Sequence, residues 1–129
     1  MATGMLTLKE PEGILTSIRD QAKDDIGPIT LINTFVIPSM EAVPAFLTHW
    51  EVDASAMKKQ PGFIQAQLYR NAGEKSNVFV NAAVWESTAA FRSAQQNPEF
   101  RESLRAYPEG TVATPIVMTK VAVPGICTT

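Results

Sequence analysis

Two side-chain amides and an indole occupy positions at which strands would align them on one face of a sheet. Residues 77–87 form a β-rich run in which Asn81 and Trp85 share the period-two face with Phe79 and Ala83. A buried amide costs free energy unless it has a hydrogen-bond partner. Asn81 therefore either meets a backbone partner or faces a cavity, where it is available to a ligand.

A second predicted strand repeats this arrangement. Along residues 29–37, Asn33 is the one amide on a face that also carries Phe35. Two amides on matching aromatic faces favour a common pocket. The alternatives are amides satisfied within the sheet, or solvated at a dimer seam, with Trp85 serving as core filler.

Composition excludes several classes of function. The chain has 129 residues, enough for one domain, and a net charge of −2 with scattered Lys and Arg, which argues against a nucleic-acid surface. No apolar run approaches the roughly 20 residues of a membrane helix, and Met1–Gly4 lacks the pattern of a secretory leader, so we expect a cytoplasmic protein. With one cysteine, Cys127, and one histidine, His49, we expect neither an intrachain disulfide nor a metal cofactor.

The order of patterned segments predicts the fold class. Alternating strands and helices run β-α-β-β-α-β, with the second helix split in two before Asn97 and Pro98. This order is typical of an α+β, ferredoxin-like domain with an antiparallel sheet. The predicted strands are 29–37, 63–71, 77–87 and 113–123, and the first helix is 40–59, capped by Ser39.

Three regions are expected along the chain. Residues 1–27 form an N-terminal arm with a possible short helix opened by Pro11; a disordered leader is the alternative. Residues 28–124 form the domain, and residues 125–129 form a tail.

Helical spacing predicts the buried stripe of the first helix. The apolar residues of this stripe are Val43, Phe46, Leu47, Trp50, Ala54 and Met57. Trp50 is therefore expected in the core. His49 lies about a quarter turn away, which is typical of a boundary or surface residue rather than a catalytic base.

Patterning also predicts a homodimer. If both helices cover one side of the sheet, the other side is left with an apolar face made of Leu31, Phe35, Phe63, Phe79 and Trp85. An exposed apolar face of that size implies a partner. A second copy of the chain can bury it, and a cavity between sheet and helices would then receive Asn33, Asn81 and Trp85.

Three short segments carry a resemblance to a known family. They are Gln60-Pro61-Gly62-Phe63, Val80 to Ser87 followed by Phe91, and Asn97-Pro98-Glu99-Phe100. Their order and spacing resemble the antibiotic biosynthesis monooxygenase domain of the dimeric α+β-barrel superfamily. The resemblance covers roughly residues 29–123.

The resemblance implies a cofactor-independent monooxygenase that oxidises a small aromatic phenol, quinol or anthrone with O₂. Asn81 and Trp85 match pocket residues of the family, and Asn33 matches an amide on the first strand; these three would be the catalytic residues. The substrate-binding residues would be Phe79, Phe35, Phe91, Arg105 and Arg101. Phe91 replaces a phenol of the tailoring enzymes, and the family's arginine falls near Arg105, with Arg101 competing one turn earlier.

Other readings of the same scaffold remain open. A haem-degrading branch requires a histidine and a tryptophan where this chain has Leu104 and Ala94, which disfavours that activity. A non-catalytic ligand-binding or stress-response barrel and a polyketide cyclase-like enzyme are the remaining alternatives.

Overall fold

The fold is described from a computed structural model of the chain. The structure describes residues 3–4, 6–9, 21, 23–73 and 75–129. The stripe of the predicted N-terminal helix, Ile14, Leu15, Ile18 and Ala22, lies outside the described residues.

The described part of the chain contains seven strands and three α-helices with complete bounds, and the isolated residue Gln21 is also helical. The strands are β1 (Thr3–Gly4), β2 (Thr7–Leu8), β3 (Ile29–Val36), β4 (Phe63–Arg70), β5 (Val78–Trp85), β6 (Tyr107–Pro108) and β7 (Val112–Met118). The helices are α1 (Val43–Lys58), α2 (Thr88–Gln95) and α3 (Pro98–Ser103), and a 3₁₀ turn at Met40–Ala42 precedes α1.

The main sheet confirms the predicted α+β, ferredoxin-like class. Its order is β2-β7-β3-β5-β4, and the four long strands pair antiparallel. The short β2 adds a parallel edge strand beside β7, while β1 and β6 form a separate two-stranded pair. The fold is therefore the expected β-α-β-β-α-β unit with one edge extended by the N-terminal segment.

The N-terminal residues that the structure describes pack on the domain. Leu6 is buried, and its backbone N–H donates to the carbonyl of Leu104 at 3.1 Å. Backbone bonds of Thr7 and Lys9 run alongside β7. This segment thus closes one end of the space beneath the sheet.

The first helix begins later than its sequence pattern predicts. Ser39 precedes the 3₁₀ turn and its side chain makes no capping hydrogen bond, so the predicted Ser39 cap is wrong. The α-helix begins at Val43, with a proline in its first turn, where the missing N–H costs nothing. Leu47, predicted in the buried stripe, is 38% exposed.

The aromatic face of the sheet lies beneath the helices, which corrects the predicted exposed face. Phe35 and Phe79 both pack against Phe46 of α1, with ring centroids 5.1 Å apart in each pair. Trp85 packs against Phe91 of α2, with centroids 6.0 Å apart. The helices cover this face because it carries the larger apolar side chains, whose burial stabilises the fold more. The outer face carries the opposite set of side chains, mainly aliphatic.

A β-bulge at the start of β4 changes which side chains face the core. The pairing shifts between Phe63 and Gln65, so Phe63 lies opposite Trp85 while Ala66 lies opposite Ala83. Phe63 therefore shares the face of Phe79 and Trp85, as predicted, although strict alternation along β4 would group it with Gln65, Gln67 and Tyr69. The extra residue is Ile64, which is 54% exposed. A bulge inserts one residue and resets the alternation, which brings Phe63 under the helices.

The last strand ends at Met118, five residues before its predicted end. Residues 119–122 are irregular, and Val123 pairs with Cys127 across a tight turn. Val121 is 70% exposed. The alternating residues 119–123, which predicted a longer strand, therefore do not pack against the sheet.

The turn after β5 holds Trp85 in place. The Ser87 side chain accepts a hydrogen bond from the Ala90 N–H at 3.1 Å, which caps α2 as predicted. The Glu86 N–H donates to the carbonyl of Gly62 at 2.8 Å. Gly62 has φ +88, and a Cβ there would lie 2.4 Å from the Ala90 side chain, so only glycine fits this turn.

Candidate functional site

Asn33 and Asn81 are direct cross-strand partners. The register of β3 against β5 pairs them, four residues before Trp85 on β5. Side chains paired in this way have Cβ atoms about 4.5–5.5 Å apart. Both amides lie on the covered face of the sheet, so the predicted common face of Asn33, Asn81 and Trp85 is present.

Three buried polar atoms of these residues have no hydrogen-bond partner among the described residues. They are Asn33 Oδ1, Asn81 Oδ1 and Trp85 Nε1. An unsatisfied buried polar group costs about 1–3 kcal/mol, and native proteins keep few of them. Three such atoms on one wall therefore make it the candidate surface for a ligand that completes their hydrogen bonds.

This wall lines a cavity between the sheet and the helices. The cavity measures about 80 Å³. A single water needs roughly 10–15 Å³ of such space, so the cavity has room for a larger group. Its wall consists of Leu6, Leu31, Asn33, Phe35, Trp50, Asp53, Ala54, Met57, Phe63, Ala66, Asn81, Ala83, Trp85, Phe100, Leu104 and Tyr107. The lining is mostly apolar with a few convergent polar groups, as is typical of small-molecule sites.

A carboxylate enters the same cavity from α1. Asp53 is only 6% exposed and accepts hydrogen bonds from the Ser103 hydroxyl and from the Tyr107 hydroxyl. Burial raises the pKa of Asp53 to about 6, although the Tyr107 hydrogen bond and the nearby His49 act to lower it. Burial and the adjacent Asp53 charge raise the pKa of Tyr107 above its usual value.

His49 lies behind this pair. Its Nε2 donates a hydrogen bond to the backbone carbonyl of Ser103, and its ring meets the Tyr107 ring edge-on at 4.6 Å between centroids. His49 is half-buried and does not line the cavity. It is thus a boundary residue that supports Tyr107.

The predicted substrate-binding residues divide into three groups. Phe35 lines the cavity. Phe79 and Phe91 are buried behind the cavity wall, where Phe79 packs against Phe46 and Phe91 packs against Trp85. The structure places Arg101 and Arg105 on the exposed surface, outside the described cavity wall. Arg101 donates instead to the side chain of Gln96 at 3.1 Å.

Sequence reasoning missed Asp53, Ser103 and Tyr107. A signal was present for one of them: Asp53 lies three residues after Trp50 and four before Met57, on the same helical stripe. An aspartate at such a position is predicted to be buried, and a buried carboxylate needs hydrogen-bond donors or an opposite charge beside it. Nothing in the local pattern of Ser103 or Tyr107 indicates a hydrogen bond to a residue 50 positions earlier.

A surface groove lies next to the cavity. Trp50, Ala54, Phe63 and Ala66 line both, while the groove continues between α1 and β4 along Glu51, Ser55, Lys58 and Gln65. Trp50 is half-buried there, packed against the core on one side and open to the groove on the other. It is part of the core as predicted, and it also borders the approach to the cavity.

The described residues offer neither a metal-binding cluster nor a membrane-spanning helix. Among them, no group of three His, Cys, Asp or Glu side chains is placed to hold a metal ion. No helix in the described part of the chain has the length and apolar character needed to cross a membrane. Cys127 is exposed and reduced, at the C-terminal turn.

Comparison with known proteins places these features in a family. Residues 28–106 match the family model described as antibiotic biosynthesis monooxygenase. A curated relative, deoxynogalonate monooxygenase from Streptomyces nogalater, is 34% identical over 76 residues. That match covers 59% of this chain and 62% of the relative, so the chain spans about three fifths of that relative's length.

Solved structures show the same fold. SnoaB, a cofactor-independent oxygenase from Streptomyces nogalater, superposes with a TM-score of 0.64 at 28% identity, covering 79% of this chain and 98% of SnoaB. An asparagine-to-alanine variant of SnoaB superposes equally well. A proposed monooxygenase from Shewanella loihica PV-4 gives a TM-score of 0.62 at 30% identity, covering 75% and 97% of the two chains.

Proposed function

Because this chain belongs to the antibiotic biosynthesis monooxygenase family, we propose that it is a cofactor-independent monooxygenase acting on a small hydroxylated aromatic compound. The substrate class is a phenol, quinol or anthrone. The relatives that are named as a monooxygenase and as a cofactor-independent oxygenase support the reaction type. The cavity supports the substrate class.

The observation that carries this proposal is the wall of three unpartnered atoms. Asn33 and Asn81 each present an amide, which offers an acceptor or, after a half-turn of its last bond, a donor. Trp85 presents an N–H donor. A flat apolar molecule with a hydroxyl and a carbonyl group would complete all three hydrogen bonds while filling the apolar remainder of the cavity.

Oxidation of such a substrate by O₂ requires few chemical groups from the protein beyond those that bind the substrate. An ionised phenol can give one electron to O₂, and recombination of the two radicals forms the new C–O bond. For an anthrone, oxidation of CH₂ to C=O supplies four electrons; one oxygen atom enters the product and the other leaves as water. The substrate is thus its own reductant, and the protein must orient it, favour its anion and exclude bulk water.

The wall residues suit that task because they are neutral. Amide and indole N–H groups stabilise a developing oxyanion through hydrogen bonds, and such bonds are strongest in a dry site. Trp85 is 1% exposed, so water does not compete for its N–H. Neutral donors also avoid the cost of burying a permanent charge.

Oxygen uptake by the purified protein tests the proposal. A panel of quinols and anthrones should give protein-dependent uptake that withstands metal chelators. Asn81→Ala and Asn33→Ala should each lower kcat/KM by roughly 100-fold, the usual cost of losing one oxyanion donor. The matched control is Asn71→Ala, which removes an exposed amide from the loop after β4 and should leave uptake unchanged. Oxygen uptake that is unchanged in both Asn81→Ala and Asn33→Ala would refute the proposed role of the amides.

A polyketide cyclase-like activity is the second candidate, and the buried Asp53–Tyr107 pair favours it. Cyclisation needs an acid or base but no oxidant. Product formation under anaerobic conditions would therefore replace the oxygenase proposal with this one. Ligand-dependent stabilisation without turnover would instead indicate a binding barrel.

We also propose that the protein is a homodimer formed through the outer face of the sheet. None of α1, α2 and α3 covers that face, and its apolar side chains are Ile32, Val36, Val80, Val84, Ile116 and Met118, interspersed with Thr30, Thr34 and Thr114. Val36 and Met118 are 43% and 47% exposed. Apolar faces of this kind are normally covered by a partner, and a second copy offers the same self-complementary surface.

A further inference from the structure

Asp53 is a carboxylate at a position where the helix pattern calls for an apolar residue. It follows Phe46 and Trp50 along the buried stripe of α1 and is 6% exposed. Its two oxygens accept hydrogen bonds from two separate elements, Ser103 in α3 and Tyr107 in β6. These bonds fix the orientation of the carboxylate at the edge of the cavity.

Each carboxylate oxygen keeps a second lone pair after these bonds are made, because an ionised carboxylate has about four acceptor sites. Asp53 lines the cavity from the helix side, whereas Asn33, Asn81 and Trp85 line it from the sheet. A ligand in the cavity therefore has a basic group on one side and neutral hydrogen-bonding groups on the other.

Asp53 stays mainly ionised at neutral pH, although its burial opposes the charged form and raises its pKa. The described titratable groups that face it are Tyr107 from β6 and His49 from α1, and both favour the carboxylate form. The sheet side contributes only neutral groups. With burial raising the pKa to about 6, the carboxylate predominates by roughly ten to one at pH 7, yet it is far more basic than an ordinary aspartate.

We propose that Asp53 is the proton acceptor for the hydroxyl group of the aromatic substrate, an inference that rests on the function proposed above. The O–H bond of the substrate breaks, its proton passes to a carboxylate oxygen of Asp53, and the bonding electrons remain on the substrate as the phenolate. The sheet wall stabilises this anion. After the anion has reduced O₂ and the new C–O bond has formed, Asp53 returns this proton to the outer oxygen of the peroxide and is again ionised. The O–O bond then breaks as the oxygenated ring carbon loses its own proton and becomes C=O, and the outer oxygen leaves with both protons as water.

A purely structural role is the competing account, since the same bonds tie α1 to α3 and β6. The two accounts differ in measurable ways. A structural tie predicts that Asp53→Asn, Tyr107→Phe and Ser103→Ala lower stability while the activity of the folded protein and its pH profile stay the same. A proton acceptor predicts a change in rate and in pH profile that is specific to Asp53.

Steady-state kinetics across pH give the first readout. Wild-type kcat/KM should rise with pH through about 6 and then level off. Asp53→Asn should lower the plateau by roughly 10²- to 10⁴-fold and abolish this rise. Tyr107→Phe should keep the rise but move it to higher pH, because the lost hydrogen bond lowers the pKa of Asp53. The control is Glu102→Gln, which alters an exposed carboxylate beside Ser103. It should change neither the plateau of kcat/KM nor the pH at which kcat/KM rises.

The second readout does not depend on turnover. 2,4-Dinitrophenol is already ionised at pH 7 and is not oxidised by O₂, so its bound form represents the phenolate that the proton transfer would produce. Its binding to the wild type at pH 7 should draw roughly one proton from the buffer, because the anion raises the pKa of Asp53 further and Asp53 becomes protonated beside it; binding to Asp53→Asn should draw none. Equal proton uptake by both proteins would overturn the proposal, as would an unchanged pH profile in Asp53→Asn. Proton uptake that depends on Asp53 in a protein without oxygen consumption would uphold the proton acceptor and reject the oxygenase.

Discussion

The buried carboxylate should make the stability of the fold fall as pH rises. The pKa of Asp53 is raised from 3.8 to about 6 in the folded protein. The folded state therefore holds this proton more tightly than the unfolded state does. Its contribution to stability is fully present below about pH 4, is lost as pH rises toward 6, and is absent above that.

The magnitude follows from the difference between these two values. At about 1.4 kcal/mol per unit of pKa, it corresponds to about 3 kcal/mol in the free energy of unfolding. That is a large part of the 5–15 kcal/mol typical of a domain. Solvent screening reduces it little, because the side chain is 6% exposed.

Urea unfolding of the wild type and of Asp53→Asn, from about pH 4 to 8 at one protein concentration, measures this effect. All other titrating groups are common to both proteins, so the difference between the two curves isolates Asp53. Asparagine resembles the protonated acid, and the variant should be close to the wild type near pH 4. Between pH 4 and 7, the variant should gain about 3 kcal/mol relative to the wild type. Parallel curves would refute the assignment of Asp53 as a buried carboxylate with a raised pKa.

Three further predictions concern other parts of the molecule. Asn81→Leu removes an unpartnered buried amide and should raise the free energy of unfolding by about 1–2 kcal/mol while oxygen uptake falls; lower stability in urea unfolding would contradict this. Gly62→Ala should destabilise by about 2 kcal/mol or more, because its φ is +88 and its Cβ would meet Ala90, whereas Gly73→Ala, which meets nothing, should not. Val80→Lys should convert a dimer into a monomer in sedimentation velocity, because it places a charge on the apolar outer face; a variant that stays dimeric would exclude that face as the interface.

The strand period alone predicts the sheet wall of the site. Asn33, Asn81 and Trp85 share a face because alternate residues of a strand do, and pairing two such strands brings the amides together. The fold class also follows from the order of the elements.

The side of the sheet that the helices cover does not follow from the same pattern. Both faces are apolar, so the alternation of residues leaves either one free to pack beneath α1 and α2. The bulge before Gln65 cannot be predicted from the pattern either, because Phe63 and Ile64 are both apolar and either side chain could face the core. These features depend on packing between elements, which a single strand's pattern does not contain.

The helix wall of the site was the harder part to predict. The position of Asp53 on the buried stripe can be read from helical spacing, but its partners come from α3 and β6, about 50 residues further along the chain. Leu6, which closes the cavity, directly precedes β2, and that strand has only two residues, too few for any periodic signal.

The fate of labelled oxygen tests the central claim most directly. Purified, chelator-treated protein is incubated with an anthrone or quinol under ¹⁸O₂, and the product is analysed by mass spectrometry. The account predicts one atom of ¹⁸O per product, formed at a rate that depends on Asn81. Product that carries oxygen only from water, or that forms equally well without O₂, would contradict it.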